Sequence, residues 1–186
     1  MNAFLLSAVL AGAVALAGCA GGSDQRPASA RGDTATSAAG ELAGIRYEVG
    51  PCHGFCPVYS VNVRADGTTT FIGQQHTQVH GKQVRQNGAQ AFAQLQRALA
   101  PWQPAMDQQR DTPDCGPRIT DMAHYTLTWT DRDGRQARLL HDGGCRSDSA
   151  RSLTRLLGEQ MPDQLGISNW IGTPSMTSRA VTAPRN

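Results

Sequence analysis

The stretch YSVNVRADGTTTFIG, residues 59–73, decides the fold. Tyr59, Val61 and Val63 alternate with Ser60, Asn62 and Arg64, the period of two expected of a half-buried strand. Ala65-Asp66-Gly67 then turns the chain, because Asp-Gly readily takes the positive φ of a tight hairpin turn. Residues 68–73 return as a β-branched and aromatic strand.

The pattern extends outward on both sides. Residues 45–49 read as a preceding strand. After a polar stretch, Asn87 is placed to cap a helix whose Phe92, Leu95, Leu99 and Trp102 form one apolar stripe. The same order then recurs. Tyr125, Leu127 and Trp129 alternate with threonines, Asp133-Gly134 turns, and residues 136–141 return. Asp148 is placed to cap a second helix, with Ala150, Leu153, Leu157 and Met161 on one side. Each hairpin has one apolar face and each helix one stripe. The economical packing is an α+β fold: an antiparallel sheet of two β-hairpins plus the N-terminal strand, with both helices on one face in ββα-ββα order. Tyr59 and Trp129 belong to its core by alternation, whereas Trp102 and Trp170 end their stripes at the margin.

The N-terminus reads as an address. Residues 4–16 are apolar or small, and residues 1–18 carry no charged side chain. At about 1.5 Å per residue this run is too short to span a hydrocarbon core of roughly 30 Å, and it suits the apolar part of a signal peptide. No Lys or Arg precedes it, so the Met1 amine alone supplies the positive charge. Leu16-Ala17-Gly18-Cys19 resembles the lipobox of bacterial lipoproteins. That resemblance implies cleavage before Cys19, a diacylglycerol on its thiol and acylation of its new amine with a chain such as palmitate. Several acyl chains, each methylene worth about 0.8 kcal/mol, anchor a protein stably. Ala20, where an Asp favours inner-membrane retention, points to the outer membrane.

The chain has 186 residues with 17 Lys+Arg against 15 Asp+Glu, and a net charge of +2 gives no electrostatic case for nucleic acid. After Cys19, residues 20–43 are mostly Ala, Gly, Ser, Thr and Asp, a composition that cannot offset ordering entropy by burial and so reads as a flexible tether. The Arg31-Gly32-Asp33 triplet in it is a chance occurrence in low-complexity sequence. Residues 172–186 share that character as a disordered tail, which leaves 44–171 as one globular domain of ordinary size.

Besides Cys19, four cysteines remain, Cys52, Cys56, Cys115 and Cys145. An even number in an exported protein reads as two disulfides, with three connectivities. If the second hairpin turns at residues 131–134, facing residues carry numbers summing to about 265, and Cys115 and Cys145 both fall near its open end. Closing it there contributes roughly 3–4 kcal/mol on the chain-entropy model, and a local Cys52–Cys56 loop about 2 kcal/mol. Crossed pairing stays open. A zinc site is disfavoured by the Cys-x3-Cys spacing and the oxidising compartment. Redox catalysis is disfavoured because Pro57 and a strand, not a helix N-terminus, follow Cys56.

Cys52-His53-Gly54-Phe55-Cys56-Pro57-Val58-Tyr59, followed by Val61, Asp66-Gly67 and Phe71-Ile72-Gly73, resembles the opening of an uncharacterised bacterial family, the domain of unknown function numbered 6438. Val79-His80-Gly81 and Thr120-Asp121 resemble later elements of the same family, over residues 45–161 in all. The resemblance implies an α+β domain common on secreted or lipidated proteins, and no activity. Met122 stands where the family's Asp is followed by proline.

His76 and His80, on a strand, would lie about 13 Å apart along it, too far for one metal. Ser60, His124, His141 and Asp121 supply the residue types of a hydrolase without a Gly-x-Ser-x-Gly elbow. Asp121 near His124 suits an acid–base pair or, more simply, a turn. No cofactor, metal or dinucleotide pattern is present. The expectation is therefore a lipid-anchored envelope protein facing the periplasm. It would be a non-catalytic module that binds an envelope partner. The alternative is an envelope hydrolase or thiol–disulfide protein using the turn from Cys52 to Tyr59. A stress-related inhibitor lipoprotein is a third reading, by fold-level analogy alone.

Overall fold

A computed structural model describes residues 41–172. The expected signal peptide of residues 1–18, the expected lipid site Cys19, the expected tether up to residue 40 and the expected tail from residue 173 lie outside the described residues.

The fold is α+β, with one mixed sheet of seven strands in the order β4-β3-β2-β1-β6-β7-β5. The strands are β1 (Leu42–Val49), β2 (Val58–Arg64), β3 (Thr68–Gln75), β4 (Gly81–Gln86), β5 (Gln109–Asp111), β6 (His124–Asp131) and β7 (Gln136–Asp142). The two expected hairpins are β2–β3 and β6–β7. The N-terminal strand lies between them as the central strand, antiparallel to β2 on one side and β6 on the other. It begins at Leu42, which is buried, so residues 42 and 43, expected to lie in a tether, belong to the sheet.

Two strands depart from the expected ββα-ββα order. β4 extends the first hairpin, and β5 runs parallel to β7 at the other edge. Neither shows a period of two. Five of the six β4 residues and all three of β5 are exposed, so no burial pattern is written into them.

One face carries the core. Ile45, Tyr47, Val61, Phe71, Leu127, Trp129 and Leu139 point to it from five strands and are buried. Two helical layers cover them. α1 (Gly88–Leu99) buries Phe92, Leu95 and Leu99. α2 (Asp148–Arg155) runs through a π-helical turn at Leu156–Gln160 into α3 (Met161–Gln164), followed by α4 (Ser168–Ile171). The wider π turn brings both Leu156 and Leu157 inward beside Leu153 and Met161. Tyr59 and Trp129 are buried; Trp102 and Trp170 are half-buried. Among the described residues no helix covers the opposite face. There the Arg46–Glu48 ion pair of 2.8 Å sits beside Ser60 and Thr128, which are buried, so the face is polar though not solvated throughout.

Both expected caps shift. Asn87 makes no side-chain cap; its amide donates to Thr69 Oγ1 (2.9 Å) and the Leu165 carbonyl (3.1 Å), tying the first hairpin to the segment after α3. Gly88, at φ +77, starts α1, and its carbonyl would meet a Cβ on Gly67 at 2.0 Å, so the first turn needs glycine for closeness as well as for φ. At α2 the cap is Ser147, whose Oγ accepts from the Ala150 amide (3.1 Å), with Asp148 inside the first turn.

The sheet has two unlike ends. β1 starts beside both hairpin turns and finishes at Val49 beside Tyr59 and Tyr125. Eight residues at about 3.3 Å each place those ends about 23 Å apart.

Candidate functional site

The far end, where β1 finishes, gathers the connections that carry chemistry. Residues 50–57, 76–80, 112–123 and 143–147 all leave the sheet there. Two disulfides hold this end, Cys52–Cys56 and Cys115–Cys145. The first closes a small loop, which is joined to the second region by His53 N–H donating to the Asp121 carbonyl (3.1 Å). The second ties the returning loop to the end of β7. Around it Ile119 N–H donates to Gly144 O (2.9 Å), Arg146 N–H to Cys115 O (2.9 Å) and Gly143 N–H to Ala123 O (3.0 Å). A Cβ on Gly144 would meet Ile119 O at 2.0 Å, so this docking needs glycine.

A cavity of about 370 Å³ lies beside Cys115–Cys145. It borders Thr112, Arg118, His124, Tyr125, His141 and Asp142, and not the turn from Cys52 to Tyr59. His141 is 1% exposed, and both its ring nitrogens are engaged. Nδ1 is 2.9 Å from Thr112 Oγ1, and Nε2 is 2.7 Å from Thr154 Oγ1. Thr154 Oγ1 donates back to Ala150 O at 3.1 Å, so it accepts from Nε2–H. With Nε2 carrying the ring proton, Nδ1 takes the Thr112 hydroxyl proton over the more distant Leu140 carbonyl (3.3 Å), while the Asp142 N–H donates to Thr112 Oγ1 (3.2 Å). Burial pushes the His141 pKa down to about 4, against the opposing pull of Asp142, so the imidazole is neutral. Tyr125 packs 5.7 Å from it, and burial, then Glu159, raises its phenol.

The file Thr112–His141–Thr154 has the order hydroxyl, imidazole, orienting group. It lacks what nucleophilic catalysis needs. A histidine titrating near 4 is a weak base at neutral pH, and a threonine cannot stabilise an imidazolium as a carboxylate does. The file instead locks β7 to α2 and to residue 112. Asp142 is similarly occupied, by Arg118 Nε at 3.2 Å and the Gly144 amide at 2.7 Å.

Most candidate residues from the sequence are not brought together. Ser60 is buried on β2, separated from His124 on β6 by β1. His124 faces Asp142 at 4.0 Å, not Asp121. Asp121 sits at φ +69 as a turn residue and receives the Thr120 hydroxyl (3.2 Å). His76 and His80 lie in the β3–β4 loop, not on a strand as expected, and the His76 ring stands edge-on to Phe55 at 5.2 Å. No trio of metal-ligand side chains is assembled among the described residues. Sequence reading missed Thr112, Arg118, Asp142 and Thr154, which are ordinary residue types in ordinary spacing.

Among its polar and charged residues this end also exposes three large apolar side chains. Phe55 is 52% exposed, Ile119 49% and Met122 38%, all on the disulfide-held loops.

A one-sided seven-stranded sheet, backed by helices and stapled twice at one end, defines the class of this domain as a disulfide-bonded α+β module. The chain belongs to the family described as domain of unknown function (DUF6438), whose model matches residues 43–161. No curated protein and no solved structure matches it.

Proposed function

We propose that this is a lipid-anchored envelope protein whose domain is a non-catalytic binding module, and that the stapled end meets its protein partner. The carrying observation is the exposure of Phe55, Ile119 and Met122 on loops already fixed by two disulfides. Apolar side chains held in place lose little freedom on binding, so more of their burial energy becomes affinity. The placement fits a tethered protein. The chain enters the sheet at Leu42, beside the hairpin turns, and the apolar loops lie at the opposite end. A lipid on Cys19 would attach the domain through a flexible tether at its turn end and leave the stapled end unobstructed. Anchoring also raises local concentration, so a weak contact suffices.

The test is site-specific photocrosslinking in intact cells. The account expects a discrete crosslinked protein species from a photoreactive residue at 55 or 122, and none from position 132 beside the turn. Equal crosslinking from both ends would remove the stapled end from consideration. Separately, Cys19→Ala should move the protein from the membrane to the soluble fraction; unchanged membrane association would contradict the lipid anchor.

A further inference from the structure

The sheet's two edges differ in how they meet solvent. β5 is three residues long, with Pro104 and Pro113 close on either side, a short edge of the kind that discourages pairing. β4 is six residues long and pairs with β3 along its whole length. On its other side no backbone hydrogen bond leaves Gly81–Gln86 among the described residues. In its middle sits Val84, 54% exposed, with the exposed Ile72 diagonal to it on the same face.

The charge on this edge has one sign. β4 carries Lys82 and Arg85 and no acid. Neither has a carboxylate within ion-pair distance among the described residues. Arg85 is held over the Trp170 ring, 5.2 Å from its centroid, a contact that fixes the guanidinium and leaves its charge uncancelled. Successive residues of a strand face opposite ways, so Lys82 and Val84 share the open face and Arg85 the helix face.

We propose that the free edge of β4 takes up an extended acidic segment of a partner protein as an eighth strand. Backbone groups of β4 supply the ladder, as in other strand-addition complexes. An aliphatic residue across from Val84 covers it. Carboxylates across from Lys82 and Arg85, three residues apart in the partner, neutralise one cation on each face. The lysine that deters indiscriminate pairing thereby selects the partner. Charge disfavours the other occupants. A second copy would bring four cations to one seam, and the chain's own tail holds Arg179 and Arg185 with no acid. This surface is distinct from the stapled end, and the inference stands whether or not that end binds.

Hydrogen exchange on the full chain in detergent tests it. One probe is a blocked synthetic peptide of alternating Thr and Val with two Glu three residues apart; the comparator has Lys in place of Glu. The acidic peptide should slow the outward amides of β4 by about tenfold or more when added well above its dissociation constant, and the basic one should leave them unchanged. The variant K82E/R85E should reverse the preference. It loses the Arg85–Trp170 contact and so should melt slightly lower than the parent, and parent-like exchange of the central strands shows that it is folded. Equal protection by both peptides, or by neither, overturns the proposal. So does protection without peptide: in a sedimenting dimer it assigns the edge to a second copy, and in a monomer whose protection disappears on truncation after residue 172 it assigns it to the tail.

Discussion

The two wings of the sheet start alike and finish differently. Each side of β1 has an antiparallel hairpin closed by an Asp-Gly turn. On the first wing the chain doubles back through residues 76–80 and adds β4 before its helix. On the second, Gly143-Gly144-Cys145 passes almost directly into α2, and the edge is completed by β5 from upstream, in parallel. The first wing ends open and bonded to no cysteine. The second ends short, and a disulfide fastens the loop that follows β5. Local sequence makes the hairpins; the connections decide the edges.

The largest expected effect breaks the fastening. Replacing Cys115 and Cys145 together by Ser opens a connection spanning 30 residues, and the chain-entropy model gives a loss of roughly 3–4 kcal/mol. Opening Cys52–Cys56, separated by four residues, should cost about 2 kcal/mol. Urea midpoints under non-reducing conditions give both numbers. Hydrogen exchange should show β5 and β7 loosened by the first change with β4 untouched. Equal losses from the two replacements would mean the staples do not distinguish the wings.

Next comes acid. His141 titrates at about 4 when folded and 6.5 in its ordinary state. As pH falls below 6.5 the unfolded chain takes the proton first. The stability His141 contributes is therefore complete above that point and lost as pH drops towards 4, on the order of 3 kcal/mol in all. Denaturation at pH 7 and pH 4.5 measures this. His141→Gln should flatten the difference, and an equally steep profile in that variant would assign the effect to other groups.

Smaller still is the tie made by Asn87 on the first wing. Asn87→Ala removes two side-chain hydrogen bonds and should cost about 1–2 kcal/mol. That is comparable with the loss of about 1 kcal/mol expected for a true cap at Ser147→Ala. An unchanged melting temperature for Asn87→Ala would show that the tie to Leu165 is dispensable. The smallest change tests the shared core. The Tyr47 hydroxyl is buried beside that of Tyr59 without a well-formed hydrogen bond to it, and burial raises its pKa well above the ordinary value. Tyr47→Phe removes an unsatisfied group, so the variant should melt at or above the parent's temperature. A lower melting temperature would show that the hydroxyl has a partner in solution.

Much of the sheet was legible because its hairpins alternate. Tyr59-Val61-Val63 and Tyr125-Leu127-Trp129 put apolar residues on one face and polar ones on the other, even though Ser60 and Thr128 on the polar face are buried, and period two reports that chemistry directly. The helical stripes were equally plain at Phe92, Leu95 and Leu99 and at Leu153, Leu157 and Met161. β4 and β5 were hidden because an edge strand exposed on both faces carries no burial code. Asn87 misled because a capping residue type is equally suited to reaching across to Thr69 and Leu165. The His141 environment was illegible for a related reason. Thr112 and Thr154 lie 29 and 13 residues from it, and only the fold brings them together. The exposed apolar residues were not legible: Phe55 entered only as part of the cysteine motif, and Ile119 and Met122 looked like any loop residues.

The central claim is a tethered, doubly stapled binding module and not a thiol enzyme. Non-reducing peptide mapping by mass spectrometry, on protein taken from the cell envelope, addresses it directly. The account expects a diacylglycerol on Cys19 and full occupancy of the Cys52–Cys56 and Cys115–Cys145 bonds. Free or partly reduced Cys52 and Cys56, in protein trapped before any thiol could exchange, would contradict it and turn attention to thiol chemistry at that turn.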